Sequence, residues 1–148
     1  MKVNGYIEEG SDGNIVMADL YGRKKDIQKV VYRILDTNLD RAREGLRIIE
    51  EWCRFGLNSP QLVTKFKNLR QEVAQWHHEE MKAARDTPGD TGTELSHVRE
   101  EKRSSINSLL SANFCRVQEA MRVLEEYSKL YDPNMGKAFR QMRYSVYT

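Results

Sequence analysis

Nothing in this chain staples it, anchors it or loads it with charge of one sign. Two cysteines, Cys53 and Cys115, are too few for a disulfide scaffold and form no ligand-spaced pair, so they read as small, partly buried hydrophobes in a reducing compartment. No apolar run approaches the roughly 18 residues of a membrane helix, and no secretory signal is present. Lys and Arg (24) nearly cancel Asp and Glu (22), with the signs interleaved, so there is no basic stripe for nucleic acid or an anionic membrane. His77-His78 and His97 lack metal spacing. No segment alternates as a strand, and 148 residues fall short of the roughly 200 to 250 of a (β/α)8 barrel. These exclusions leave an all-α domain, soluble and cytoplasmic, with no nucleic-acid and no membrane partner.

What the chain does have is a repeat. Asn38-Leu-Asp-Arg-Ala-Arg-Glu-Gly-Leu-Arg-Ile-Ile-Glu-Glu-Trp52 returns 75 residues later as Asn113-Phe-Cys-Arg-Val-Gln-Glu-Ala-Met-Arg-Val-Leu-Glu-Glu-Tyr127. Recurring apolar positions alone would report only a shared helical period. Here Asn, Arg, Glu, Arg, Glu and Glu recur by identity in one register, which a solvated face does not require. Phe66-Lys67-Asn68-Leu69-Arg70 is answered in turn by Phe139-Arg140-Gln141-Met142-Arg143.

Each copy has the pattern of a helical hairpin. The seam Val31, Leu35, Asn38, Ala42, Gly45, Ile49, Trp52 predicts a long helix over 26–55, and Ser59-Pro60 caps a partner over 60–84. The matching seam Ile106, Leu110, Asn113, Val117, Ala120, Leu124, Tyr127 predicts a long helix over 97–130, and Asp132-Pro133 opens its partner over 134–147. A single helical domain over 26–148 then contains repeat one at about 26–84 and repeat two at about 97–148. The expected architecture is a four-helix bundle of two duplicated hairpins with pseudo-twofold symmetry, in which Ala42, Gly45 and Ala120 let the long helices approach closely. Residues 1–25 hold four of the nine glycines and are expected to be a mobile arm, with a short turn over 15–20. The sequence stops at Tyr147-Thr148, where the first copy continues to Arg85, which predicts a polypeptide running on into another domain.

Two places carry candidate chemistry. Asn38 falls inside the apolar arc of the first long helix with Arg41 and Glu44 at its border, and Asn113, Arg116 and Glu119 repeat the arrangement. A register-setting asparagine and a routine Arg–Glu pair would explain either copy alone. Two such edges facing one another, within a chain or across a homodimer, would make a polar pocket with both charges. Arg70 and Arg143 fit structural ion pairs or pocket arginines. Glu50, Glu51, Glu125 and Glu126 are expected to be solvated, although one of each pair could turn inward. The second place is the loop Arg85-Asp-Thr-Pro-Gly-Asp-Thr-Gly-Thr93, which occurs once. Arg85 offers a fork for phosphate, Gly89 and Gly92 allow close backbone approach, and Asp86 and Asp90 would hold a divalent cation completed by phosphate oxygens. A capped surface turn accounts for the same residues, and no Gly-Lys-Ser/Thr makes it a Walker A loop. A pocket of this kind suits a phosphorylated small molecule with a metal ion.

Three segments in order, 34–57, 84–95 (Ala-Arg-Asp-Thr-Pro-Gly-Asp-Thr-Gly-Thr-Glu-Leu) and 112–129, resemble the helical domain fused ahead of the barrel in cyanobacterial-type thiamine-phosphate synthases. The similarity covers about residues 28–148. That resemblance implies an alternative hydroxymethylpyrimidine-phosphate kinase, phosphorylating the pyrimidine phosphate to its diphosphate with ATP and Mg²⁺. It also implies that a synthase barrel follows Thr148 and that this chain by itself does not make thiamine phosphate. Under the alternative, the domain is a non-catalytic pyrimidine-phosphate-binding, regulatory or dimerisation domain of a synthase.

Phosphoryl transfer calls for positioning and charge neutralisation, which assigns Arg41, Arg116, Glu44, Glu119 and Asp86 as catalytic. Asn38 and Asn113 would read the pyrimidine edge, with Arg70, Arg143, Arg85, Gly89 and Gly92 also binding substrate and Asp86 and Asp90 holding the metal. The single loop is expected to close over one half of the pocket and so distinguish donor from acceptor.

Overall fold

The computed structural model describes residues 2–3, 6–7, 26–93 and 102–147. Helix α1 (Ile27–Glu51) starts where Asp26 accepts the Lys29 N–H and runs into one wide π-helical turn, Trp52–Gly56. Asn58 reverses the chain in a left-handed conformation, φ 49°, which asparagine tolerates better than most residues. Ser59 accepts the Leu62 N–H and, with proline in the first turn, opens α2 (Pro60–Gln75). A one-turn helix α3 (Glu79–Ala83) follows. Ser105 caps α4 (Ile106–Tyr127), which ends in a 3-10 turn, and α5 (Pro133–Tyr147) closes the body. Near the N-terminus, β1 (Lys2–Val3) pairs antiparallel with β2 (Tyr6–Ile7). The rest of the expected arm, including the turn over 15–20, lies outside the described residues.

Two expected boundaries are corrected. The helix expected over 60–84 ends at Gln75, because His77 turns inward to meet Asp36 of α1 and the helix restarts only as α3. The helix expected from 97 begins at Ile106, where the Ser105 hydroxyl accepts the Ser108 N–H; residues 94–101 lie outside the described residues.

The central unit is the antiparallel pair α1–α4. Helices α2 and α3 pack on α1, while α5 packs on α4, so the described residues form the expected all-α body, with the one-turn α3 added to the four helices of the hairpin pattern. An added Cβ on Gly45 would stand 2.5 Å from Val117 Cγ2, so the close approach of the two long helices requires glycine there. Around the crossing, Leu35, Leu39, Leu46, Val117, Met121 and Leu124 are fully buried. Burial at this density drives assembly at roughly 25 cal/mol per Å² of apolar surface. No described helix is long and apolar enough to cross a membrane.

Candidate functional site

The duplicated polar residues come in structurally matched pairs. Asn38 Nδ2 donates to the Ile34 carbonyl and Asn113 Nδ2 to the Leu109 carbonyl, each at 2.8 Å, and both asparagines are buried. Glu50 accepts Arg70 Nε and Nη2 at 2.8 and 3.2 Å. Glu125 accepts Arg143 Nε at 3.0 Å, with Arg122 Nη1 3.1 Å away. Burial pushes the Glu125 carboxyl up, but Arg122 and Arg143 outweigh it and hold the group below its usual value. One of each pair turns inward, Glu50 and Glu125, so these two are not solvated as first expected, while Glu51 and Glu126 stay at the surface. The same ion pairs engage Arg70 and Arg143, two arginines that the sequence offered to phosphate.

The two Asn–Arg–Glu edges do not share a cavity within one chain. Gly45 lies against Val117, so Asn113 stands opposite Ile49 rather than Asn38. At 1.5 Å per residue the asparagines are about 16 Å apart along the helix axes. Arg41, Glu44, Arg116 and Glu119 are exposed. Glu119 borders a shallow surface beside Arg122 and Arg143, and Arg41 borders a different depression.

The loop belongs to the first edge alone. Arg85 reaches back to α1, donating Nε to Asp36 Oδ2 at 2.8 Å and Nη2 to Asp36 Oδ1 at 2.7 Å, with Asp40 Oδ2 at 3.2 Å. His77 Nε2 lies 2.7 Å from the same Asp36 Oδ1. Burial works against the Asp36 charge, yet Arg85 and His77 prevail and keep its carboxyl below the ordinary value near 3.8. Arg85 is therefore an anchor for the loop rather than the phosphate fork expected. Gly89 N–H donates to Asp86 Oδ1 at 3.0 Å and Gly92 N–H to Asp90 Oδ1 at 2.8 Å. Those amides cap their own turns, which corrects the expectation that they face a ligand.

This anchoring holds Asp90 against α1, where it walls a depression of about 270 Å³ with Arg33, Thr37, Asn38 and Arg41. Arg33 is steadied by the Asp86 carbonyl at 3.4 Å, while Arg41 makes no ion pair among the described residues. The site therefore offers two guanidinium groups, an amide, a hydroxyl and one carboxylate, a set suited to a small anion carrying a hydrogen-bonding ring. The described residues contain no group of three or more His, Cys, Asp or Glu placed to hold a metal ion, and Asp86 and Asp90 act as turn caps. Arg33, Asp36, Thr37, Asp40 and His77 were not singled out by the sequence pattern. Their one signal was difference: repeat two has Ser108, Ser111, Ala112 and Cys115 where repeat one has Arg33, Asp36, Thr37 and Asp40.

Residues 33–148 match the family model described as ThiD2 family. The chain is 70% identical over 132 residues to a thiamine-phosphate synthase of Nostoc punctiforme, covering 89% of this chain and 38% of that one. It is 57% identical over 117 residues to the enzyme of that name in Synechocystis sp., covering 79% and 34%. It is 52% identical over 121 residues to that of Gloeobacter violaceus, covering 82% and 36%. The chain thus spans little more than a third of the length of these relatives. No solved structure matches it. The relatives are named synthases, not kinases, which overturns the phosphotransferase assignment and the expectation that the chain stands apart from thiamine-phosphate synthase.

Proposed function

The chain belongs to the ThiD2 family, the N-terminal domain type of cyanobacterial-type thiamine-phosphate synthases, and its place is in thiamine biosynthesis; from that premise we propose that it is a non-catalytic domain that binds a phosphorylated pyrimidine for the synthase. One observation carries the reading: of the two duplicated Asn–Arg edges, only the first is walled by the loop, so that Arg33, Thr37, Asn38, Arg41 and Asp90 line one depression. Arg41 and Arg33 would take the phosphate, since guanidinium matches phosphate oxygens in geometry and charge. Asn38 keeps its amide oxygen and a second N–H for a pyrimidine edge after the bond to Ile34. No residue here is assigned to bond making or breaking. This reading gives no role to ATP or to Mg²⁺.

Titration calorimetry with hydroxymethylpyrimidine phosphate tests it. Binding to the wild-type chain is expected, weakened by Arg41→Ala and unchanged by Arg116→Ala. Absence of binding, or equal loss in both variants, would overturn the site.

A further inference from the structure

A second kind of cavity lies away from the polar edge. It is an apolar groove of about 560 Å³ between the end of α1, the start of α4, α2 and the last turn of α5. Its walls include Trp52, Leu62, Phe66, Leu110, Phe114 and Cys115, with Lys65 at the border. Under the internal repeat, these positions answer to Tyr127, Met135, Phe139, Leu35, Leu39 and Asp40. Most of that second set is closed among the described residues: Leu35, Leu39, Met135 and Phe139 are each 0% exposed and only Tyr127 is exposed, at 40%, whereas Leu62 in the groove is 36% exposed.

The difference has a visible cause. At the first end, the stretch that follows α2 folds back over α1. Met81 of α3 is fully buried in the common core, Trp76 packs against that core, and Glu80 accepts the Tyr131 hydroxyl at 3.0 Å. Helix α5 is the counterpart of α2, so the counterpart of α3 is whatever follows α5. In the synthase relatives, where this domain is N-terminal and covers 38% or less of the length, the chain does continue past it.

We propose that this groove is the seat of a short helix from the segment following α5 in the synthases, carrying one large apolar side chain in the role of Met81. Lys65 at the border favours an acidic neighbour on that helix, as α3 itself opens with Glu79 and Glu80. The seated helix docks the rest of the synthase onto the domain.

The test lengthens this chain after α5 with about 15 residues, some four helical turns, taken from the Nostoc punctiforme synthase. Cys115 is exposed and lines the groove, so its alkylation rate reports occupancy, while Cys53 is buried. Alkylation of Cys115 is expected to slow about tenfold in the lengthened chain, and to recover when the apolar residues of the added segment are changed to serine. Unchanged alkylation overturns the proposal. So does protection of the unlengthened chain that grows with concentration and tracks a dimer in sedimentation, because a second copy would then be the occupant. An apolar dye that still enters the groove of the lengthened chain counts against it equally. Should the lengthened chain not fold, the same segment as a labelled peptide is titrated onto the original chain by anisotropy; binding that Phe114→Asp abolishes supports the seat, and no binding ends it.

Discussion

The two ends of the α1–α4 pair were built from the same repeated sequence and have been finished differently. At one end, α3, Trp76 and Tyr131 close the core, and the Asp36–Arg85–His77 cluster ties a loop against α1. At the other, Ser111 and Cys115 replace the two acids, no counterpart of α3 is present among the described residues, and an apolar groove stays open. What both ends keep is the interior: the back-bonded asparagine and the buried Glu–Arg pair. The repeated identities thus maintain a symmetric scaffold, and the differences between the copies carry the site. A polar residue repeated twice in a fold with internal symmetry is good evidence of a structural role. One present in a single copy is the better pointer to function.

The largest effect that would sharpen this contrast is in the core. Met81→Ala should destabilise the chain by about 3 kcal/mol in urea unfolding, since a fully buried methionine leaves a cavity. Leu62→Ala at the open end should cost under about 1 kcal/mol, because Leu62 is already 36% exposed. Equal losses at both ends would break the comparison. Next, Asp36→Asn removes the charge that pairs Arg85 inside the closed end. A loss of about 2 kcal/mol is expected, below the full cost of breaking a buried pair because Arg85 keeps access to solvent. Hydrogen exchange over 86–93 should quicken in the same variant, since the loop loses its anchor; an unaffected loop would show that Arg85 does not hold it.

A smaller effect concerns ligand. Arg41→Ala should weaken hydroxymethylpyrimidine phosphate about tenfold, or 1.4 kcal/mol, against no change for Arg116→Ala, with both melting temperatures near that of the wild type. The smallest effect is shared by the two ends. Asp36 and Glu125 are both held below their ordinary values of 3.8 and 4.5, so the unfolded chain binds more protons in mild acid. Their contribution is complete above the unfolded values and fades as pH falls from about 4.5 through the lower folded ones. A shallow decline in melting temperature between about pH 5 and pH 4, reduced in Glu125→Gln, would show it; stability rising over that range would contradict it.

Local chemistry made most of the helices legible. Asp26 and Ser59-Pro60 are caps whose side chains or fixed φ act within one turn, and the small residues at the crossing follow from helical period alone, whereas the Ser105 cap of α4 was missed. Resemblance over three motifs carried the family. The break of α2 at Gln75 was not legible, because its cause is a hydrogen bond between His77 and Asp36, forty-one residues apart. The duplicated arginines misled for a related reason. Arg70 and Arg143 have the composition of a phosphate site, and only packing brings Glu50 and Glu125 to them.

By itself the sequence determined that the chain is helical, that it is internally repeated, where α1, α2 and α5 begin, and which family it joins, because periodicity, capping and residue identity are properties of neighbours along the chain. Only the tertiary structure decided which arginines are already paired, that the two asparagine edges face apart, and that the loop serves one of them. The packing of α2 on α1 and of α5 on α4 sets the first, and the antiparallel crossing at Gly45 sets the second, since it places equivalent residues at opposite ends of the molecule. No local pattern encodes the direction in which two helices meet.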